Sequence, residues 1–224
     1  MRTIILSGGR ISDKEVKETI DEARALGEDL TVIAADKGME AADRLGIVPD
    51  WIIGDFDSAD SSMLDRSKKL EKTGKSQLTV LNPVKDDTDS EAALHLAFEH
   101  TEGPIYFFGG SGTRIDHLLS NLMTMKQGLD RNREIFLIDD YNRVRLMDHD
   151  HPVSIRKVDQ FGSYVSVIPL SGPAEGVTLK GFYYPLENAL LSGRDSLGNS
   201  NEITAVVGEI TVRSGVLAVI ESRD

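Results

Sequence analysis

With 224 residues, 40% of them hydrophobic, the chain is long enough to bury a substantial core in one large domain or two compact ones. Its formal charge of −12 argues against a nucleic-acid partner, which needs a basic stripe, and the absence of cysteine excludes disulfides, thiolate catalysis and cysteine-based zinc sites. There is no run of eighteen apolar residues and no signal-peptide pattern, since Met1 leads straight into a strand-like segment; a cytoplasmic protein without a membrane span is expected.

From the N-terminus, short apolar runs alternate with helix-like segments, the rhythm of strands joined by helical crossovers in a parallel sheet. Strands are expected at Thr3 to Ser7, Leu30 to Ala35, Trp51 to Gly54, Leu78 to Leu81, Ile105 to Phe108 and Ile135 to Asp139. Ser12 with Glu15 and Thr88 with Glu91 form capping-box pairs that open helices, one with the stripe Val16, Ile20 and Ala23, the other with Leu94, Ala97 and Phe98. After about residue 150 no helix is apparent. Strands are expected at Tyr164 to Leu170, Val177 to Phe182, Ile203 to Val207, Ile210 to Arg213 and Val216 to Ile220, with a tight hairpin at Ser214-Gly215. This third reads as an antiparallel sandwich or small barrel, with a boundary between Asp148 and Pro152.

In open parallel sheets ligands bind outside the carboxyl ends of the strands. Acidic residues gather there: Asp36 after the second strand, Asp55 and Asp57 after the third, Asp86, Asp87 and Asp89 after the fourth, and Asp116 shortly after the fifth. Carboxylates crowded on one rim repel each other unless they share a cation, and hard oxygen ligands suit Mg2+ held together with substrate phosphates. Each aspartate taken singly also fits a turn or helix cap, Asp89 most clearly, because it sits in a first helical turn. The segment Gly109-Gly110-Ser111-Gly112-Thr113-Arg114 follows the fifth strand, where bare backbone N–H groups can cradle phosphate and Arg114 adds a planar donor fork. It is neither a dinucleotide fingerprint nor a Walker A sequence. His117 is a further candidate phosphate contact or base, and equally a structural histidine.

In order, Pro49-Asp50-Trp51-Ile52-Ile53-Gly54-Asp55-Phe56-Asp57-Ser58, Lys85-Asp86-Asp87-Thr88-Asp89 and Arg114-Ile115-Asp116-His117 resemble the thiamine pyrophosphokinase family. Gly181-Phe182-Tyr183-Tyr184-Pro185-Leu186 and Ser196-Leu197-Gly198-Asn199-Ser200-Asn201-Glu202 extend the resemblance through the C-terminal third. It implies an α/β protein, a Rossmann-like parallel-sheet domain over 1–148 holding MgATP and an antiparallel β-sandwich over 149–224 holding thiamine. The implied reaction moves a pyrophosphoryl group from ATP to the thiamine hydroxyl, giving thiamine diphosphate and AMP, in a homodimer with thiamine at the subunit interface.

By the same resemblance Asp55, Asp57 and Asp89 bind the metal, and Asp57, Asp89, Arg114 and Asp116 carry the chemistry. Asp36, Asp86, Gly110, Gly112, Arg114 and His117 lie on the ATP side, and Tyr184, Ser200 and Asn201 on the thiamine side. Two rivals remain open on the residues alone. One is a phosphatase using Asp55-Phe56-Asp57 as a nucleophile motif. The other is a non-catalytic sensor of nucleotide or thiamine.

Overall fold

The computed structural model describes residues 1–55, 61–82 and 87–224; of Ser61 and Ser62 only the backbone is described. Two compact units emerge, one of Met1–Thr124 with Ile135–Asp140, the other of Met125–Glu134 with Tyr141–Asp224.

The first unit is built on six parallel strands, β1 (Arg2–Leu6), β2 (Leu30–Ala35), β3 (Trp51–Gly54), β4 (Gln77–Val80), β5 (Ile105–Phe108) and β6 (Ile135–Ile138), in the order β4-β3-β2-β1-β5-β6. Every residue of β1 is buried, as a strand covered on both faces requires, and this is why Ile4, Ile5 and Leu6 follow one another without polar alternation. The crossovers are α1 (Asp13–Ala25), α2 (Gly38–Leu45), α3 (Ser61–Lys72) and α4 (Asp89–His100), with α5 (Ile115–Thr124) after β5. Val16, Ile20 and Ala23 of α1 and Ala93, Leu94, Leu96 and Ala97 of α4 are buried; at helical spacing they form the apolar stripes that hold each helix to the sheet. Thr88 caps α4 as expected, its Oγ1 accepting from the Glu91 N–H at 3.2 Å. Ser12 stands at the N-cap of α1 but makes no side-chain cap bond, so there the helix forms without its box. The chain runs β1, β2, β3, β4 outward to one side and then returns to place β5 on the other side of β1. That reversal opens a crevice at the carboxyl ends of β1 and β5.

The second unit contains a short helix α6 (Lys126–Leu129) and an antiparallel sandwich. One layer sets β13 (Leu217–Ser222) between β7 (Asn142–Met147) and β9 (Tyr164–Pro169). The other has the order β11-β10-β12-β8, from β11 (Leu186–Leu191), β10 (Ala174–Lys180), β12 (Val207–Thr211) and β8 (Val153–Arg156). Their inner faces meet in one core that includes Met147, Val167, Leu217 and Val219 from the first layer and Ile155, Val177, Leu179 and Ile210 from the second.

The expected hairpin at Ser214-Gly215 is not formed. β12 pairs with β10 and β8, β13 with β7 and β9, so the two strands face each other across the sandwich instead of sharing an edge. Both carry buried apolar residues, Ile210 on one and Leu217 and Val219 on the other, and placing them in opposite layers lets both sets enter the same core. Gly215 sits where the chain changes layers, at φ +96°, with Ala174 Cα 2.9 Å from where a Cβ would be. Ile203 to Val207 is likewise not a full strand: Ile203 makes an isolated bridge to Phe182, and the ladder begins at Val207.

Candidate functional site

A cleft of about 610 Å³ lies at the reversal point of the first unit, and the ends of β1, β2, β3 and β5 contribute to its wall. Ser7, Gly8 and Gly9 come from the turn after β1, Asp36 and Lys37 from the turn after β2, and Asp55 from the end of β3. Asp87, Thr88, Asp89 and Ser90 come from the start of α4, and Gly109, Gly110, Gly112, Thr113 and Arg114 from the loop after β5, with His117 and Asn121 from α5. The structure thus assembles Asp36, Asp55, Asp89, Gly110, Gly112, Arg114 and His117 from the sequence-based set around one space. Asp57 and Asp86 lie outside the described residues.

The glycine loops meet face to face. Gly9 N–H donates to Gly109 O at 3.1 Å, and Ser7 N–H donates to Phe108 O at 2.9 Å, so the turns after β1 and β5 continue the pairing of their strands into the cleft. A Cβ on Gly9 would lie 2.3 Å from Gly109 O, which is why this position carries no side chain. Three side chains pin this floor. Asn121, buried on α5, donates from Nδ2 to Gly110 O at 2.8 Å; Ser111 donates to Asp139 Oδ2 at 2.6 Å; Ser7 and Ser90 join through their hydroxyls at 2.7 Å. Ser7, Gly8, Gly9 and Asn121 were not singled out in the sequence. The first three follow a strand and so obey the same rule as the aspartates, whereas Asn121 depends on a contact eleven residues away.

In the same cleft the carboxylates of Asp36, Asp55 and Asp89 repel one another. Asp36 adopts φ +46°, a left-handed conformation that is uncommon for a residue with a side chain, and its Oδ1 is buried with no hydrogen-bond partner. Burial, and then the charges of Asp89 and Asp55, push its pKa above the ordinary carboxylate value. A carboxylate oxygen left without a donor beside two like charges is the environment a hard divalent cation would relieve, and the oxygen-only donor set fits Mg2+. Among the described residues no three acidic or imidazole groups already form a closed metal cluster.

The strain at Asp36 has a measurable consequence. Replacement by Asn keeps the side-chain shape, tolerates positive φ better and removes the desolvated charge. Asp36→Asn is expected to raise the melting temperature of the metal-free protein by about 2–4 °C, the shift that ~1 kcal/mol produces at this size, while lowering activity. The raised pKa gives a pH test with a definite sign. The native state binds this proton more tightly than the unfolded chain, so the penalty is absent at low pH and grows as pH rises through the folded value. The stabilisation by Asp36→Asn should therefore shrink towards pH 4, and a constant difference from pH 4 to 8 in calorimetry would remove Asp36 as its source.

Arg114 reaches the cleft from the far side of the glycine loop, its Nε and Nη2 both donating to Asp116. Asp116 stands behind Arg114 and not in the cleft wall. That guanidinium lowers the Asp116 pKa to about 2, and because both side chains are exposed the pair is a weak tether for the fork.

In the second unit Tyr184 is 64% exposed and packs edge-on against Tyr183, with ring centroids 4.8 Å apart. It belongs to no core. Asn201, 2% exposed, fixes its backbone: Oδ1 accepts from the N–H groups of Tyr184 and Glu202, each at 2.9 Å, and Nδ2 donates to Tyr184 O at 2.7 Å. Ser200 lies beside it at φ +50°, its N–H donating to Ser166 Oγ at 2.9 Å.

Comparison with known proteins agrees with this division. Residues 23–137 match the family described as thiamin pyrophosphokinase, catalytic domain, and residues 150–217 match thiamin pyrophosphokinase, vitamin B1 binding domain. A thiamine pyrophosphokinase of Bacillus subtilis is 33% identical over 226 residues, covering all of both chains. The crystal structure of thiamine pyrophosphokinase from that organism superposes with a TM-score of 0.86 at 31% identity over the whole of both chains. One from Geobacillus thermodenitrificans gives 0.82, also at 31% identity, over 100% of this chain and 98% of that one. Thiamin pyrophosphokinase from Candida albicans, 15% identical, shares the fold with a TM-score of 0.80 over 99% of this chain and 90% of its own. Two family matches in succession, full-length identity and a carboxylate-lined cleft at the sheet reversal together establish that this chain belongs to the thiamine pyrophosphokinase family.

Proposed function

We propose that the chain transfers the β- and γ-phosphates of ATP as one pyrophosphoryl group to the hydroxyl of thiamine, releasing AMP. Family membership supports the reaction, and one observation ties it to a place: Asp36, Asp55 and Asp89 face a glycine-floored cleft at the end of a parallel sheet. Neither rival fits as well. A phosphatase nucleophile would need no opposed glycine floor, and a sensor would not need the repulsion stored at Asp36.

In the step itself the hydroxyl oxygen of thiamine attacks the β-phosphorus, the bond from that phosphorus to the α–β bridging oxygen breaks, and AMP leaves with that oxygen. Mg2+, when bound, would offset the negative charge of the phosphates. Asp55, Asp57 and Asp89 would hold it, with Asp36 beside them. The backbone N–H groups of Gly110 and Gly112 orient the phosphates, Arg114 offsets the negative charge that develops on them, and His117 lines the nucleotide side, which the family resemblance also assigns to Asp86. The carboxylates repel the nucleotide, and Mg2+ would offset that repulsion together with Lys37 and Arg114 of the same cleft.

Thiamine binds through the second unit, with Tyr184 against its rings, Asn201 acting by holding Tyr184 in place, and Ser200 nearby. We place this site where two subunits of a homodimer meet, a reading supported by the two exposed tyrosine rings, and we place the enzyme in the cytoplasm. An aromatic face on a cationic ring is worth about 0.5–2 kcal/mol, so Tyr184→Ala should raise the KM for thiamine by roughly 2- to 30-fold and leave kcat and the KM for ATP nearly unchanged. A lowered melting temperature with an unaltered thiamine KM would return Tyr184 to a structural role.

The reaction is tested by incubating the protein with ATP, Mg2+ and thiamine. AMP and thiamine diphosphate should appear in equal amounts. ADP would indicate a simple kinase, phosphate release without thiamine a phosphatase, and binding without turnover a sensor.

A further inference from the structure

Beside the catalytic cleft lies a second cavity of about 240 Å³, which shares Gly8, Gly9 and Lys37 with it and is lined further by Arg10, Glu40 and Arg44. In a chain of net charge −12, three cationic side chains against one carboxylate set this lining apart from the aspartates of the neighbouring cleft. Both guanidiniums are anchored from outside the cavity. Arg44 gives its Nε and Nη2 to Asp13 on α1, with contacts of 2.6 to 3.0 Å, and Arg10 gives Nη2 to Asp140 at 2.7 Å. Neither aspartate lines the cavity, so these pairs fix the direction of the arginines without placing an acid in the space they face.

We propose that Arg10, Lys37 and Arg44 form a phosphate subsite that takes the terminal phosphate of the nucleotide chain. The inference rests on the proposed reaction and refines it. When two phosphates move as a unit, the outer one stays attached throughout the displacement and must be held at a fixed position beyond the reacting phosphorus. The carboxylate wall can meet phosphate only through a cation, whereas this cavity opens from the same glycine turn and offers planar and ammonium donors directly. A phosphate group could also arrive there as free inorganic pyrophosphate, and the two sources are separable by experiment.

Binding of ATP, AMP and inorganic pyrophosphate is to be measured by titration calorimetry in Mg2+ without thiamine, for the wild type and for the double variant Arg10→Gln/Lys37→Ala. Both residues are exposed, and melting temperatures check that the variant folds; Arg44→Gln serves as a second variant if it does not. The proposal predicts ATP and pyrophosphate weakened by about tenfold or more with AMP changed less than about twofold, as loss of charged hydrogen bonds to one phosphate implies. Weakened pyrophosphate with unchanged ATP would overturn the assignment to the nucleotide and leave the free ion as the ligand. Unchanged affinity for both, or AMP weakened as much as ATP, would overturn it. Because no turnover is measured, this result stands apart from the test for AMP release, which can fail while binding persists.

Discussion

Asp89→Asn is expected to lower kcat about a hundredfold or more and to raise the Mg2+ concentration needed for half-maximal rate, with the melting temperature shifting by no more than about 2 °C. Asp89 opens α4 immediately after its Thr88 cap, so one of its carboxylate's effects is local: it favours the helix N-terminus by about 0.3–1 kcal/mol. Its other effect is felt across the cleft, where its charge raises the pKa of Asp36. Neutralising it loses the first and relieves the second, and the two nearly cancel in stability. Catalysis has no such compensation, because the carboxamide keeps the shape but not the charge that a divalent cation needs. Steady-state rates over a Mg2+ series decide the point. An Asp89→Asn enzyme with a third or more of the wild-type kcat and the same Mg2+ dependence would place Asp89 among ordinary helix-capping acids.

Gly9→Ala should be the most damaging single methyl group in the cleft. The added Cβ would sit 2.3 Å from Gly109 O and 3.1 Å from Gly112 Cα, and both neighbours are backbone that cannot rotate aside. Relief requires the turns after β1 and β5 to part, which breaks the 3.1 Å bond between Gly9 N–H and Gly109 O. Overpacking of this kind costs about 1–3 kcal/mol, or roughly 3–10 °C in a chain of this length. Because the same turns floor the phosphate site, the KM for ATP should rise about tenfold or more, while thiamine binding by the second unit changes little. Thermal melts with both KM values test it, and equal losses for the two substrates would mean global unfolding in place of a local change in the cleft.

How much of this was legible in the sequence depends on which force wrote each feature. Leu30 to Ala35, Trp51 to Gly54 and Ile105 to Phe108 were readable to the residue because strands covered on both faces are mostly apolar runs between polar turns. The strands over Asn142–Met147 and Leu186–Leu191 were not. The first carries Arg143 and Arg145 in alternation with its apolar residues, and the second buries only Leu191 fully, so neither presents a run that stands out. The false hairpin at Ser214-Gly215 arose because a turn signal tells where the chain bends and not which strand it joins next. In the cleft, aspartates at strand ends announced themselves by charge. Ser7-Gly8-Gly9 obeyed the same positional rule without charge and passed unnoticed. Asn121, the left-handed Asp36 and the clamp of Asn201 on Tyr184 exist only through contacts between distant residues, and no local pattern encodes them.

The central claim, that two phosphates move together by attack at the β-phosphorus, is tested most directly with ATP carrying 18O in the α–β bridging position. The account predicts that all of the label leaves in AMP, that thiamine diphosphate forms unlabelled, and that neither ADP nor thiamine monophosphate accumulates on the way. Label in thiamine diphosphate, or thiamine monophosphate appearing together with ADP, would contradict it.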